Sequence, residues 1–193
     1  LSGMDLSGMD LTGIDLRNAN LAGANMSNTL LNGSLMMNVN APDIFLRNAY
    51  LENVDARYAY MFRADLTEAY IENSDFSEVH LSASIVEGTV FLSTNLRNTN
   101  FVVSQMNETK IFSSDLSSSI LTTAYANDAF FAMSDLTNAY LGGIRCEGAT
   151  FTESNLKFAN FESAVITDSL FLDTSWYQTI WTDSLTYDNN PTE

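Results

Sequence analysis

The sequence predicts an all-β solenoid, and three features of a five-residue period lead to that class. Every fifth residue from Leu1 to Trp181 is apolar, in a frame that never slips. A second position of each unit, from Met4 to Ser184, holds only Ala, Ser, Thr, Val, Ile or Met. A third position carries Gly or Asn through the first units, and these residue types tolerate tight corners. The corner residues are Gly3, Gly8, Gly13, Asn18, Gly23, Asn28 and Gly33.

The spacing excludes a helix and favours short extended segments. A helix advances by about 100° per residue, so positions five apart would spread around its circumference and leave no apolar face. In an extended segment, alternate residues share a side. Leu96, Thr99 and Phe101 are therefore expected to point inward, whereas Asn95 and Asn100 point to solvent. Units this short cannot bury their own side chains, so successive coils must stack around one continuous core.

Individual units also carry a family signature. Residues 19–21, 64–66 and 139–141 read Ala-Asn-Leu, Ala-Asp-Leu and Ala-Tyr-Leu. They resemble the pentapeptide-repeat family, whose pattern is A(D/N)LXX. The resemblance implies a single-domain, right-handed quadrilateral β-helix with four units per coil, and about nine coils spaced by roughly 4.8 Å. Residues 1–187 are assigned to this β-helix, and residues 188–193 are expected to form a frayed C-terminal tail.

The two ends of the solenoid differ in sequence. Trp176, Tyr177, Trp181 and Tyr187 fall in the last coils, where we expect their large side chains to plug the open core. The first units carry no comparable residues. Because an open end exposes unpaired backbone groups, a preceding segment, a partner or end-to-end association is expected to cover it.

Composition narrows the classes of function. Of 193 residues, 46% are hydrophobic, and 24 acidic against 8 basic residues give a net charge of −16. No apolar run is long enough to span a membrane. A nucleic-acid partner is disfavoured, because phosphates would be repelled and no basic stripe exists. The expected partner is a protein, and the charge favours one with a basic surface. Composition does not fix the compartment; the cytoplasm is slightly favoured over secretion or the cell surface.

Few residues offer catalytic or metal-binding chemistry. The single histidine, His80, is expected on the surface, and the single cysteine, Cys146, occupies a core position. Neither has the neighbours that nucleophilic catalysis or zinc binding requires. Asp5, Asp10 and Asp15 look like a carboxylate cluster in the linear sequence, but four-sided folding places them on three different walls. The sequence therefore predicts a protein that is not an enzyme and has no cofactor or metal site.

If four units form one coil, residues that are twenty positions apart lie on the same wall, and the outward positions fall into four walls. We number them first to fourth by their initial core residues, Leu1, Leu6, Leu11 and Leu16. The corner after the second wall holds one carboxylate per coil over seven consecutive coils, and we predict that this acidic column binds a partner. Its members are Glu68, Glu87, Glu108, Asp128, Glu147, Asp168 and Asp188.

The third wall is apolar outside as well as inside. A continuous apolar surface often marks an interface, so we predict a contact surface here, with a lateral homodimer as one form of it. The alternative is that these side chains stack between coils and cover one another. This apolar column comprises Leu30, Tyr50, Tyr70, Val90, Leu92, Phe112, Phe130, Met133, Leu170 and Leu172. The fourth wall mixes acids with bases and is expected to be neutral overall.

Three functions remain in competition. The first is a non-enzymatic, rigid interaction or structural module that binds through its outer faces, as one segment of a larger protein. The second follows from the resemblance: some acidic pentapeptide-repeat proteins mimic B-form DNA and bind type II topoisomerases such as gyrase, to inhibit or protect them. This chain lacks the projecting loops and the C-terminal dimerisation helix of the quinolone-resistance members. The third is a secreted or cell-surface structural rod.

Overall fold

The computed structural model describes residues 1–191, and its backbone pairing repeats every twenty residues. Parallel bridges join Asp5 to Asn25 near the start and Asn160 to Ile180 near the end. Because the sequence unit has five residues, four units complete each coil around one apolar core. The predicted quadrilateral β-helix is confirmed. Nowhere in residues 1–191 is there a helix with the length and apolarity needed to cross a bilayer.

The parallel strands lie on the third wall. Seven strands of three residues each form one sheet in chain order, with each residue paired to the one twenty positions later. They are β1 (Tyr50–Glu52), β2 (Tyr70–Glu72), β3 (Val90–Leu92), β4 (Lys110–Phe112), β5 (Phe130–Ala132), β6 (Thr150–Thr152) and β7 (Leu170–Leu172). Isolated bridges continue the same offset on the other walls and in the first coils. The continuous sheet therefore spans fewer turns than the nine predicted.

The corners share one backbone conformation, whatever residue occupies them. From Gly3 to Gln178, the corner residue of every unit has a positive φ. Even the β-branched residues Val103 (φ 59°) and Thr123 (φ 56°) adopt it, although such residues are strained in this region. In the sequence, only the glycines and asparagines of the early units indicate this conformation. Elsewhere the stacked coils impose it.

From β1 onward, a ladder of buried hydroxyl groups replaces the ordinary turn hydrogen bond on the third wall. At most corners of the other walls, a bond such as Ala24 N–H to the Leu21 carbonyl (2.9 Å) closes the turn. At the end of β1, Val54 N–H donates instead to Ser74 Oγ at 2.9 Å, and Ser74 Oγ donates to the Leu51 carbonyl at 2.8 Å. The residues that continue this column are Thr94, Ser114, Ser134 and Ser154. These hydroxyls satisfy the groups that the open turn would leave unpaired.

The core is filled by side chains that repeat in register. Phe131, Phe151 and Phe171 stack face to face with ring centroids 4.7 and 4.8 Å apart, the spacing of the coils. At the C-terminal end, Trp176 and Trp181 pack on Phe171 and on each other. These two tryptophans form the predicted plug.

The two tyrosines predicted to join the plug lie outside it. Tyr177 is exposed and packs edge-on against Phe158 on the surface. Tyr187 donates a hydrogen bond to Asp183. Both predictions were wrong, because counting by five places residues 177 and 187 one position after the core positions 176 and 186, where side chains point outward.

A short hairpin ends the described chain. β8 (Thr179–Ile180) pairs antiparallel with β9 (Thr186–Tyr187). Beyond it, Asn190 Nδ2 donates to the Phe171 carbonyl at 3.1 Å, so the start of the predicted tail is held against the last coils. Residues 192–193, which belong to the same prediction, lie outside the described residues.

The Asp and Asn residues before the core positions have a structural role. Asp5, Asp10 and Asp15 lie on three different walls, and each Oδ1 accepts the backbone N–H of the residue two positions later. Hydrogen bonds from the side chain and from the backbone N–H of Ser7, Thr12 and Arg17 lower the pKa of these three carboxyls, and the pKa of Asp15 falls to about 2. The row therefore stabilises the corners that follow it.

The hydroxyl ladder leads to a paired stability test. Ser74→Ala leaves Val54 N–H without an acceptor, so we expect the free energy of unfolding to fall by about 1–3 kcal/mol. Ser84 is equally buried, but its Oγ has no hydrogen-bond partner among residues 1–191, so Ser84→Ala should be neutral or slightly stabilising. Denaturant unfolding of both variants measures the difference. Equal losses would contradict the ladder.

Candidate functional site

The acidic column occupies the corner between the second and third walls. The left-handed corner conformation turns its side chains away from the core. Glu87 and Glu147 stand one residue before the corner position. Four members stand on it, with φ between 55° and 57°: Glu68, Glu108, Asp128 and Asp168. The column is thus a direct product of the repeated coil geometry.

Asp188 is the one predicted member that the structure places elsewhere. The sequence frame put it one coil beyond Asp168, but β9 reverses the chain before that point. Asp188 Oδ1 accepts a hydrogen bond from Gln178 N–H at 2.9 Å, beside the fourth wall. The prediction for Asp188 was wrong, and the acidic column is from here on the remaining six residues.

Amide side chains separate some of the carboxylates along the column. Asn107 Nδ2 donates to Glu87 Oε1 at 3.2 Å, and Asn107 Oδ1 accepts Asn127 N–H at 3.1 Å. Asn127 Oδ1 in turn accepts Glu147 N–H at 3.1 Å. The two asparagines therefore form an amide ladder between the two glutamates. This ladder was missed in the sequence, although its members recur at a twenty-residue spacing.

Gly148 makes room for one side chain of the column, and Gly88 lies in ordinary van der Waals range of another. A methyl group at Gly148 would meet Asp128 Oδ1 at 2.5 Å, and one at Gly88 would lie 3.5 Å from Glu68 Cγ. Glu68 and Asp128 thus lie along the corner over the next coil. Their carboxylates remain on the same line as the rest of the column.

None of the six carboxylates of the column makes an ion pair within residues 1–191. All the ion pairs of that region involve other acids. The second wall carries two arginines, and both are engaged: Arg47 pairs with the buried Asp65, and Arg145 lies over the Tyr125 ring at 5.6 Å. The column is therefore a row of carboxylates without ion pairs, and the one cation of the third wall, Lys110, makes no ion pair within residues 1–191 either.

The apolar column is partly exposed and partly self-covering. Leu30, Tyr50, Phe130, Met133, Leu170 and Leu172 are exposed. Tyr70, Val90, Leu92 and Phe112 are half-buried, because neighbours in adjacent coils stack on them, as Phe112 and Phe130 do with ring centroids 5.6 Å apart. Lys110 and Thr150 interrupt the column. Exposed apolar side chains and side chains stacked between coils thus occur together on this wall.

The two columns border each other and share shallow grooves. Each acid at the corner is followed two residues later by an outward residue of the third wall. A groove of about 400 Å³ lies between Glu108 and Asp128 on one side and Phe112 and Phe130 on the other, beside Lys110. The result is a strip that combines negative charge with exposed rings. We call it the amphipathic strip.

The residues that suggested chemistry are held in other roles. Burial raises the pKa of the Cys146 thiol to about 12, and the ring of His80 stacks on Tyr60 with centroids 4.9 Å apart. Within residues 1–191, no three His, Cys, Asp or Glu side chains are grouped so that they could hold a metal ion.

The chain belongs to the pentapeptide-repeat family. The family model of pentapeptide repeats matches residues 1–36, 45–82, 74–111 and 131–168, in eight copies. Proteins of this family are generally non-enzymatic structural modules. No curated protein matches the sequence.

Solved structures of pentapeptide-repeat proteins resemble the chain. HetL, involved in heterocyst differentiation regulation in the cyanobacterium Nostoc sp. strain PCC 7120, is 21% identical, with a TM-score of 0.38 over 96% of this chain and 92% of HetL. Full-length QnrB1, a plasmid-mediated fluoroquinolone resistance protein, is 11% identical, with a TM-score of 0.40 over 90% and 93%. Rfr23 from the cyanobacterium Cyanothece 51142 is 13% identical, with a TM-score of 0.27 over 92% and 90%.

The ion pair between Arg47 and Asp65 on the second wall can be tested by mutation. Burial alone would raise the pKa of Asp65, but hydrogen bonds from Arg47 and Thr67 outweigh it and hold the pKa below its ordinary value. Asp65→Ala should lower the free energy of unfolding by about 2 kcal/mol. Asp65→Asn should cost less, because an amide oxygen still accepts from Thr67 N–H.

The pH dependence follows from the same shift. Because the pKa of Asp65 is lower in the folded state, its ionised carboxylate stabilises the fold at every pH above the pKa of the unfolded state. This contribution is lost as the pH falls below about 4 and passes through the pKa of the folded state. The stability gap between wild type and Asp65→Asn should therefore close over that range, as followed by thermal unfolding. A gap that is constant with pH would contradict the assignment.

Proposed function

We propose that this protein is a rigid, non-catalytic interaction module that binds a basic protein partner along the amphipathic strip. The observation that supports it most is the absence of ion pairs from the acidic column within residues 1–191. Arginines elsewhere on the rod pair with aspartates, whereas the column presents one carboxylate per coil over six consecutive coils. The neighbouring rings of the third wall add apolar contact area.

The strip suits a partner that matches a straight line of charge. Coils lie roughly 4.8 Å apart, so the column repeats at a fixed spacing, on a scaffold whose backbone is hydrogen-bonded from coil to coil. Surface charges of this kind steer association and set specificity more than they add affinity. Apolar and aromatic side chains beside the column supply the desolvated contact that holds the complex together.

Charge reversal of the column tests the proposal against a matched control. The triple variant Glu108→Lys, Asp128→Lys and Asp168→Lys should abolish binding of a fluorescent peptide of alternating lysine and glycine. The control triple, Asp43→Lys, Glu78→Lys and Glu162→Lys, changes the net charge equally at acids that border the first and fourth walls and should bind almost as wild type does. Fluorescence anisotropy at low and raised salt measures both. Equal weakening by the two triples would show attraction to net charge alone and overturn the proposal.

A second copy of the chain is another candidate occupant of the third wall. The exposure of Tyr50, Leu170 and Leu172 favours it, whereas the acidic columns of two copies would repel each other. Tyr70→Lys combined with Phe130→Lys should leave the coil folded and convert a dimer to a monomer in light scattering. A wild-type protein that is already monomeric would contradict self-association.

Mimicry of DNA is a second candidate function, and the line of carboxylates is the feature that favours it. B-form DNA carries one charge per about 1.7 Å of axis, whereas the column carries one per roughly 4.8 Å, about a third of that density. Inhibition of gyrase supercoiling by micromolar protein, lost in the column triple variant, would support mimicry. No inhibition at that concentration would exclude it.

A further inference from the structure

We propose that the paired tyrosines at the start of the third-wall sheet bind an arginine side chain of the partner. This inference rests on the proposed function and names the chemical group that the partner inserts. The site consists of Tyr50 and Tyr70, flanked by Glu68 on one side and by Glu52 and Glu72 on the other.

The two tyrosines form the floor of a groove. Tyr50 and Tyr70 occupy the same register of β1 and β2, with ring centroids 6.3 Å apart and planes inclined by 47°. The groove has a volume of about 540 Å³ and is also lined by Glu68 and Val90. Tyr50 is 53% exposed, so about half of this residue is accessible to a group from outside.

Carboxylates flank the rings on both sides. Glu52 and Glu72 are direct cross-strand partners, and like charges in that position destabilise a sheet by some tenths of a kcal/mol. Glu68 lies across the rings, in the acidic column. Tyr70 Oη donates to Glu72 Oε2 at 3.0 Å, and this bond raises the pKa of Tyr70. The phenol therefore keeps its proton and orients the Glu72 carboxylate.

The cations closest in sequence are committed to other carboxylates. None of the three glutamates makes an ion pair within the described part of the chain. The arginines of the same coils pair instead with aspartates on the first, second and fourth walls: Arg47 with Asp65, Arg57 with Asp55, and Arg63 with Asp43. The site has carboxylates and aromatic faces but no cation of its own.

A guanidinium group fits this arrangement best. It is planar, stacks on aromatic faces, and donates several hydrogen bonds to carboxylates in its plane. An ammonium group makes the same charge contact without the stacking. A second copy of this chain would bring an equal excess of carboxylates to the site, so charge complementarity favours a partner of different sequence that presents an arginine.

Peptide binding distinguishes the anchor from general attraction. A fluorescent peptide of alternating arginine and glycine should bind the wild-type protein about tenfold more tightly than the same peptide with citrulline, which keeps the shape and removes the charge. Tyr70→Leu should weaken the arginine peptide by about tenfold, and Glu72→Gln by a smaller factor. Tyr140→Leu and Glu78→Gln, which alter exposed residues on other walls, should leave its affinity unchanged.

Two results would overturn the anchor. One is equal affinity for the arginine and citrulline peptides. The other is loss of affinity in Tyr140→Leu equal to that in Tyr70→Leu. One combination of results separates the two proposals. The lysine peptide would bind the wild type but not the column triple variant, while Tyr70→Leu and Glu72→Gln would leave the affinity for the arginine peptide unchanged. In that case the anchor fails and the proposed function stands. If neither basic peptide binds wild type, both fail.

Discussion

Hydrogen bonding between successive coils is the constraint on which the rest of the structure depends. A five-residue unit closes no ladder of its own, so its backbone groups pair with the coils before and after it. Leu96 N–H donates forward to the Asp115 carbonyl at 2.7 Å, and Asn95 N–H donates back to the Ser74 carbonyl at 2.9 Å. A pairing offset of twenty residues places every side chain next to its counterparts one coil away. Stacked phenylalanines inside, amide ladders outside and the acidic column all follow from it.

The same constraint explains how the rod tolerates a row of like charges. Neighbouring carboxylates roughly 5 Å apart repel by about 1 kcal/mol in water, and salt reduces this further. Each coil from residue 21 to residue 160 buries four apolar side chains of the central positions, and each large aliphatic or phenylalanine side chain contributes about 1.5–3 kcal/mol. The core therefore outweighs the repulsion several times over. The fold does not need cations along the column, which leaves the charge available for a partner.

The sequence was sufficient to predict the features that depend only on the period. Counting by five gives the inward positions of Leu96 and Thr99 and the outward position of Asn95. Counting by twenty places the six carboxylates of the acidic column at one corner. Features that depend on a break in the period were not predictable this way. Asp188 was misplaced because no residue type marks where the five-residue frame ends. Tyr177 directly follows the core residue Trp176, so the frame itself places it outward.

Contacts between walls also lay beyond the sequence. Counting by twenty assigns Arg47 to the second wall, but it does not show that Asp65 is buried and holds the guanidinium away from the column. The glutamates at 52 and 72 could have been found, since they occupy the same position in consecutive coils. They were passed over because the tyrosines beside them were interpreted only as apolar area.

Distances between spin labels along the acidic column test the central claim most directly. Cysteines can replace Asn28, Glu68 and Asp168 in pairs, with Cys146→Ala removing the native thiol. The account predicts backbone separations that grow by roughly 4.8 Å for every twenty residues, about 24 Å from 68 to 168 and about 34 Å from 28 to 168, as measured by double electron–electron resonance. Separations that do not increase in proportion to the number of coils would contradict it.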